Sequence, residues 1–122
     1  MAEKFDLKSI RPGDTFPARI IARLTAEETG DPIPVTFAAM QLRTIGTNQI
    51  IHEWRTDGDA PNASIVGEGN AVMLHEVSHL LTIQWPIGRL VYDLLVDLPG
   101  IERFRLLYGQ LSISRDITRE TL

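Results

Sequence analysis

The chain has 122 residues, a net charge of −4, 43% hydrophobic and 23% charged residues, and no cysteine. That size suits one domain around one core, and the balance is that of a globular protein. The missing cysteine excludes thiolate metal sites and cysteine nucleophiles; no apolar run has the length of a membrane-crossing helix; the acidic balance argues against nucleic acid as a partner.

The first residues, Met1-Ala-Glu-Lys-Phe-Asp-Leu7, lack the basic-then-apolar layout of a signal peptide, so folding in a cytoplasm is expected. Residues 1–10 alternate loosely and read as an edge strand or an arm lying on a neighbour. Arg11-Pro-Gly-Asp-Thr15 is a turn, punctuated by Pro12 and Gly13. From Phe16 to Thr25 the alternation puts Phe16, Ala18, Ile20, Ala22 and Leu24 on one face of a strand, with Pro17 marking its start or an edge.

After a Pro- and Gly-rich loop at 27–34, Phe37 to Thr44 forms a strand with Ala38, Met40 and Leu42 on one face. Ile45-Gly-Thr-Asn48 reverses the chain, and Gln49 to Arg55 returns it as a hairpin. A polar loop at 56–63 leads to a second short hairpin, 64–66 with 71–74. Leu74, Val77 and Leu81 have helical spacing, which allows one short helical turn near 77–82.

Trp85-Pro-Ile-Gly88 turns into the longest pair of strands. Leu90, Tyr92, Leu94 and Val96 share a face, Leu98-Pro-Gly-Ile101 suits a type II reversal, and Phe104, Leu106 and Tyr108 return. The apolar phase then shifts to Leu111 and Ile113, which predicts a β-bulge at Gly109. The expectation is an all-β, Ig-like sandwich of seven or eight antiparallel strands. It is organised as an arm or edge strand at 1–10, a single domain at 11–119 and a tail at 120–122.

One segment matches a catalytic pattern. His75-Glu-Val-Ser-His79 fits H-E-x-x-H, in which two histidines one helical turn apart bind zinc and the glutamate is the general base. Such a site needs a third ligand, and the candidates His52, Asp93 and Asp97 all lie in strand patterns. If the segment is extended, the two histidines stand about 13 Å apart at roughly 3.3 Å per residue. One zinc, bonding nitrogen at about 2.1 Å, cannot bridge that gap. Asp93 and Asp97 share a strand face but lie too far apart for an acid/base pair. No phosphate-binding glycine loop or nucleophile elbow is present.

The ordered short motifs resemble a family of small β-sandwich modules from tailed-bacteriophage baseplates and tail-fibre adaptors. The likeness runs through Arg11-Pro-Gly-Asp-Thr-Phe16, Gly30-Asp-Pro-Ile-Pro-Val-Thr36, Gly88-Arg-Leu-Val-Tyr-Asp-Leu94, Leu106-Leu-Tyr-Gly-Gln-Leu-Ser-Ile113 and Asp116-Ile-Thr-Arg119. It implies a non-enzymatic virion protein of the tail or baseplate, assembled in the host cytoplasm. It further implies contacts with other tail and baseplate proteins, a homo-oligomer, no cofactor, no metal, and neither nucleic acid nor membrane as partner.

Ten of the twelve basic residues are arginine, which is favoured at protein interfaces; compositional bias is the plainer reading. Residue type alone nominates Arg103, Arg105, Arg115 and Arg119 as contact donors and Trp85 as an apolar anchor. Two alternatives stay open: a small zinc-dependent peptidase using His75, Glu76 and His79, and a carbohydrate-binding sandwich with exposed aromatics such as Trp85.

Overall fold

The computed structural model describes residues 2–114. The expected tail at 120–122, the end of the domain at 119, and Arg115 and Arg119 lie outside them. Among the described residues are eight strands, β1 (Glu3–Lys4), β2 (Arg19–Arg23), β3 (Phe37–Thr44), β4 (Ile50–Arg55), β5 (Ala63–Val66), β6 (Ala71–Leu74), β7 (Gly88–Leu98) and β8 (Ile101–Ile113), and one short helix, α1 (His79–Thr82). They form a two-sheet sandwich. One sheet has the order β1-β8-β7-β3-β4 and the other β2-β6-β5.

The core is one cluster between the sheets. Ala38, Met40 and Leu42 of β3 and Leu90, Tyr92, Leu94 and Val96 of β7 supply the large sheet's share. Val72 and Leu74 of β6, Ile21 of β2 and Ala63 of β5 supply the other. Alternation in β7, and the inward positions 38, 40 and 42 of β3, produce this directly, because successive side chains point to opposite faces. Pro99 and Gly100, the latter at φ 80°, close the β7–β8 reversal as expected of a type II turn.

Three expectations are corrected. The strands are not all antiparallel: β1 pairs with β8 in parallel, Glu3 opposite Leu107 and Lys4 opposite Tyr108. The chain continues along this edge through Phe5 N–H to Tyr108 O (2.8 Å), Leu7 N–H to Gln110 O (2.9 Å) and Ile10 N–H to Ser112 O (3.1 Å). Residues 3–10 thus run along the β8 edge of this same molecule, as a strand at Glu3–Lys4 and by single hydrogen bonds and a bridge beyond it.

Second, the register of β2 shifts between Ile20 and Ala22. Ile21 therefore turns into the core and Ile20 faces out, against the expected phase.

Third, the long hairpin shifts register at two places, neither of them Gly109: at Leu106, because Leu94 pairs with Leu107 and Leu95 with Arg105, and at 102–103, because Val96 pairs with Phe104 and Leu98 with Ile101. Tyr108 faces out and Gly109 faces in, opposite Tyr92. Gly109 answers a different need. A Cβ there would fall on the backbone carbonyl of Phe5, which accepts a hydrogen bond from the Tyr92 hydroxyl. Burial, reinforced by the Asp6 carboxylate, pushes the Tyr92 hydroxyl up to about 12, so it stays a neutral donor.

The two sides of the sandwich differ. On the β4 side Asn62 closes the edge: its side-chain amide donates to Glu53 O (2.8 Å) and its carbonyl accepts from Arg55 N–H (2.7 Å). Trp54 Nε1 donates to His75 O (3.2 Å) and links the sheets. On the other side a groove of about 460 Å³ opens between β1 and β2, with Ile21, Leu24, Leu106 and Leu107 in its lining.

Candidate interaction surfaces

The outer face of the large sheet is a lattice of arginines and carboxylates. Arg43 reaches Asp93 at 3.3 Å, and Arg105 approaches the same carboxylate at 3.9 Å. Arg55 lies between Asp57 (2.8 Å) and Glu53 (3.4 Å), and Arg103 holds Asp97 (3.2 Å). Gln41 joins the set by donating to Glu53 and accepting from Arg43.

The guanidiniums of Arg103 and Arg55 both sit over the Phe37 ring, 4.4 and 5.2 Å from its centre, and Arg105 sits over Tyr108 at 5.2 Å. Hydrogen bonds from Arg103 hold the Asp97 carboxyl below the usual carboxylate range, and those from Arg55 do the same for Asp57. Each exposed pair adds little stability. Together the pairs fix the side chains of the face in one arrangement. Arg103 and Arg105, nominated from sequence, stand here, and both are already engaged with neighbours on their own chain.

Trp85 is elsewhere. Its side chain is 6% exposed and packs on Phe16 and His52, with ring centres 6.3 and 5.8 Å apart. It is a core residue, which corrects its nomination as a surface anchor and removes it as a glycan platform. His52 completes this cluster edge-on to Trp54, at 4.4 Å. Burial lowers the His52 pKa, against a smaller opposing effect of Glu53, and its Nε2 has no hydrogen-bond partner among the described residues.

The H-E-x-x-H segment is split between elements. His75 follows β6, and its Nε2 lies 2.6 Å from Ser64 Oγ. Glu76 is exposed, Val77 bridges Phe16, and Ser78 caps α1 by accepting from Leu80 N–H at 3.1 Å. Only His79 belongs to the helix, which has four residues. The histidines therefore do not occupy successive turns of one helix, which the zinc motif requires. Among the described residues no three His, Asp or Glu side chains form a group able to hold a metal ion.

A further surface lies at the end of the sandwich where β7 begins. From Val77 to Gly88 there is no Asp, Glu, Lys or Arg. Within that stretch Leu80, Leu81, Ile83 and Ile87 are 67, 50, 60 and 46% exposed, and Ile50 at the start of β4 is 52% exposed. Leu81 and Ile50 wall a recess of about 200 Å³ that also touches His52, Gln84 and Trp85. Ile83 lies against the turn at Gly13, and Thr82 Oγ1 donates to Asp14 O at 2.6 Å, tying α1 to that turn. The signal for this surface was present in the sequence as a long stretch without charge. Of the helically spaced Leu74, Val77 and Leu81, the first two are buried and Leu81 is half exposed.

Fold and surface together define an all-β sandwich with a polar, ion-paired sheet face and a charge-free apolar end. Comparisons with protein-family models, with curated proteins and with solved structures gave no match.

Proposed function

We propose that the chain is a non-enzymatic assembly module that joins protein subunits, including copies of itself, in the tail or baseplate region of a tailed-bacteriophage virion. The observation that carries the assembly reading is the apolar end built on α1 and Ile50. Large exposed apolar patches rimmed by polar residues mark interaction sites, whereas single exposed apolar residues need no explanation. The split H-E-x-x-H segment and the burial of Trp85 favour this reading over the peptidase and glycan-binding alternatives. The virion setting, and assembly in the host cytoplasm, rest on the ordered motifs from Arg11 to Arg119.

Mass spectrometry of purified virions tests the reading. The expected result is that the chain is present in a fixed ratio to the tail-tube protein after stringent washing. A chain that is made during infection but stays out of purified particles refutes the virion role.

A further inference from the structure

Three features offer an unpartnered surface: the groove between β1 and β2, the ion-paired outer face of the large sheet, and the apolar end. The groove is flanked by Glu3, Lys4 and Arg23 without one dominant sign, and nothing on its walls selects an occupant. Most arginines and carboxylates of the outer face pair with one another, and the one buried atom there without a partner among the described residues, Arg43 Nε, does not by itself specify an occupant. The apolar end is different, because its chemistry and its area both restrict what can cover it.

We propose that the apolar end is a self-complementary interface through which two copies of the chain pair about a two-fold axis. Leu80 and Ile83 of each copy would cover the recess beside Trp85 and His52 in the other. This rests on the assembly reading above and names the partner for one of its surfaces.

Four observations support it. From their exposures the five residues present an area on the order of 500 Å² per copy, the larger part of the about 800 Å² per partner of a standard interface, with polar neighbours supplying the rest. The stretch from Val77 to Gly88 carries no charged side chain, so two copies can meet there without burying an unpaired ion, although each has a net charge of −4. The patch carries both projecting side chains and a recess of about 200 Å³ with a mixed lining, apolar at Ile50 and Leu81 and polar at Gln49, Gln84 and His52, wide enough to receive the edge of an aliphatic side chain. A surface that holds both knob and hole can satisfy itself under two-fold symmetry, where each contact occurs twice.

The position of the patch also permits it. Gly88 opposite Ile113, Thr44 opposite Leu90 and the β3–β4 turn all lie at this end of the large sheet. The β7–β8 turn lies at the other. End-to-end pairing therefore leaves the outer face and the groove between β1 and β2 open to further partners.

The test is sedimentation velocity on the full chain over a concentration series, with two variants. The wild type is expected to shift from 13.7 kDa toward twice that mass as concentration rises. Leu80→Asp with Ile83→Asp puts two carboxylates into the interface and raises the dimer dissociation constant at least about 100-fold. Both positions are exposed, so far-UV circular dichroism of that variant should match the wild type. Ile101→Asp, exposed on the turn at the opposite end, should leave the dimer intact.

A wild type that stays monomeric throughout overturns the pairing, as does a dimer that survives the double substitution or is broken by Ile101→Asp. A monomer that floats with phosphatidylcholine vesicles would assign the patch to a lipid surface and overturn it too. A monomer found in purified virions at fixed ratio overturns the pairing while leaving the assembly reading in place.

Discussion

Gly109→Ala separates two accounts of the C-terminal strand. If Gly109 served only as a flexible bulge residue, alanine there would be nearly neutral. Gly109 does not have a left-handed φ, so alanine meets no backbone penalty. What it meets is Phe5: the added methyl falls on that carbonyl, with the carbonyl carbon 2.7 Å away and Tyr92 Cε2 at 3.0 Å. Backbone cannot yield there without moving β1 off β8. The displaced edge would lose Phe5 N–H to Tyr108 O, Leu7 N–H to Gln110 O and Tyr92 OH to Phe5 O. At about 1 kcal/mol net each, these sum to about 3 kcal/mol. Uncovering the buried Leu7 side chain adds about 2 kcal/mol. The expected loss is about 3–5 kcal/mol, the lower end applying if Leu7 stays partly covered, within the 5–15 kcal/mol typical of a domain. Urea unfolding measures the loss, and amide hydrogen exchange locates it: Phe5 and Leu7 should lose protection while β3 and β7 keep theirs. A variant within about 0.5 kcal/mol of wild type, with Phe5 and Leu7 still protected, refutes the close-approach account.

Other perturbations follow from the same packing. Trp85→Ala should cost about 3–5 kcal/mol in urea unfolding, because it opens a cavity between Phe16 and His52; a surface anchor would cost nothing, so an unchanged midpoint refutes the core placement. His52 has a lowered pKa, so between its folded value and the ordinary 6.5 the unfolded chain binds more protons than the folded one. Stability should therefore fall as pH drops through that window, and His52→Phe should remove that part of the slope. Urea midpoints measured from about pH 8 down to about pH 5 check this, and parallel curves for the two proteins would contradict it. Dialysis against zinc followed by elemental analysis should leave no stoichiometric metal, because His75 and His79 stand on different elements; one zinc per chain, lost in His75→Ala, would overturn that conclusion.

Much of the sandwich was legible because most strands have one wet face and one dry face. Ala38-Met40-Leu42 and Leu90-Tyr92-Leu94-Val96 alternate without interruption, and a one-residue slip would have put every one of them in water. The errors fall where two apolar residues are adjacent. Ile20-Ile21 and Leu106-Leu107 each offer two candidates for the core, and local pattern cannot choose between them. The bulges settle the choice through pairing across the sheet. Residues 1–10 carried only a loose alternation, which left an edge strand and an arm both open, and Glu3 and Lys4 of β1 are themselves exposed. β1 is held by hydrogen bonds to a strand at the far end of the chain. Trp85 misled for a related reason: Pro86 and Gly88 announce a turn, and the partners that bury its ring, Phe16 and His52, are distant in sequence. Of the nominated contacts, Arg103 and Arg105 do reach the surface, yet their partners Asp97 and Asp93 lie on the adjacent strand, which spacing along one strand cannot show.

The apolar end is built on the short helical turn expected near 77–82, which the structure places at His79–Thr82. A four-residue helix has no stability of its own, because nucleation outweighs so few hydrogen bonds. α1 persists because Ser78 caps it, Thr82 ties it to Asp14, Val77 pairs with Phe16, and Trp85 plugs the core directly after it. Both flanks of Leu80, Leu81 and Ile83 are thus tied to the body of the sandwich. A surface held in this way loses little ordering entropy on docking. That is the physical reason for proposing the subunit contact here and not on the outer sheet face, where most of the charges are paired within the chain.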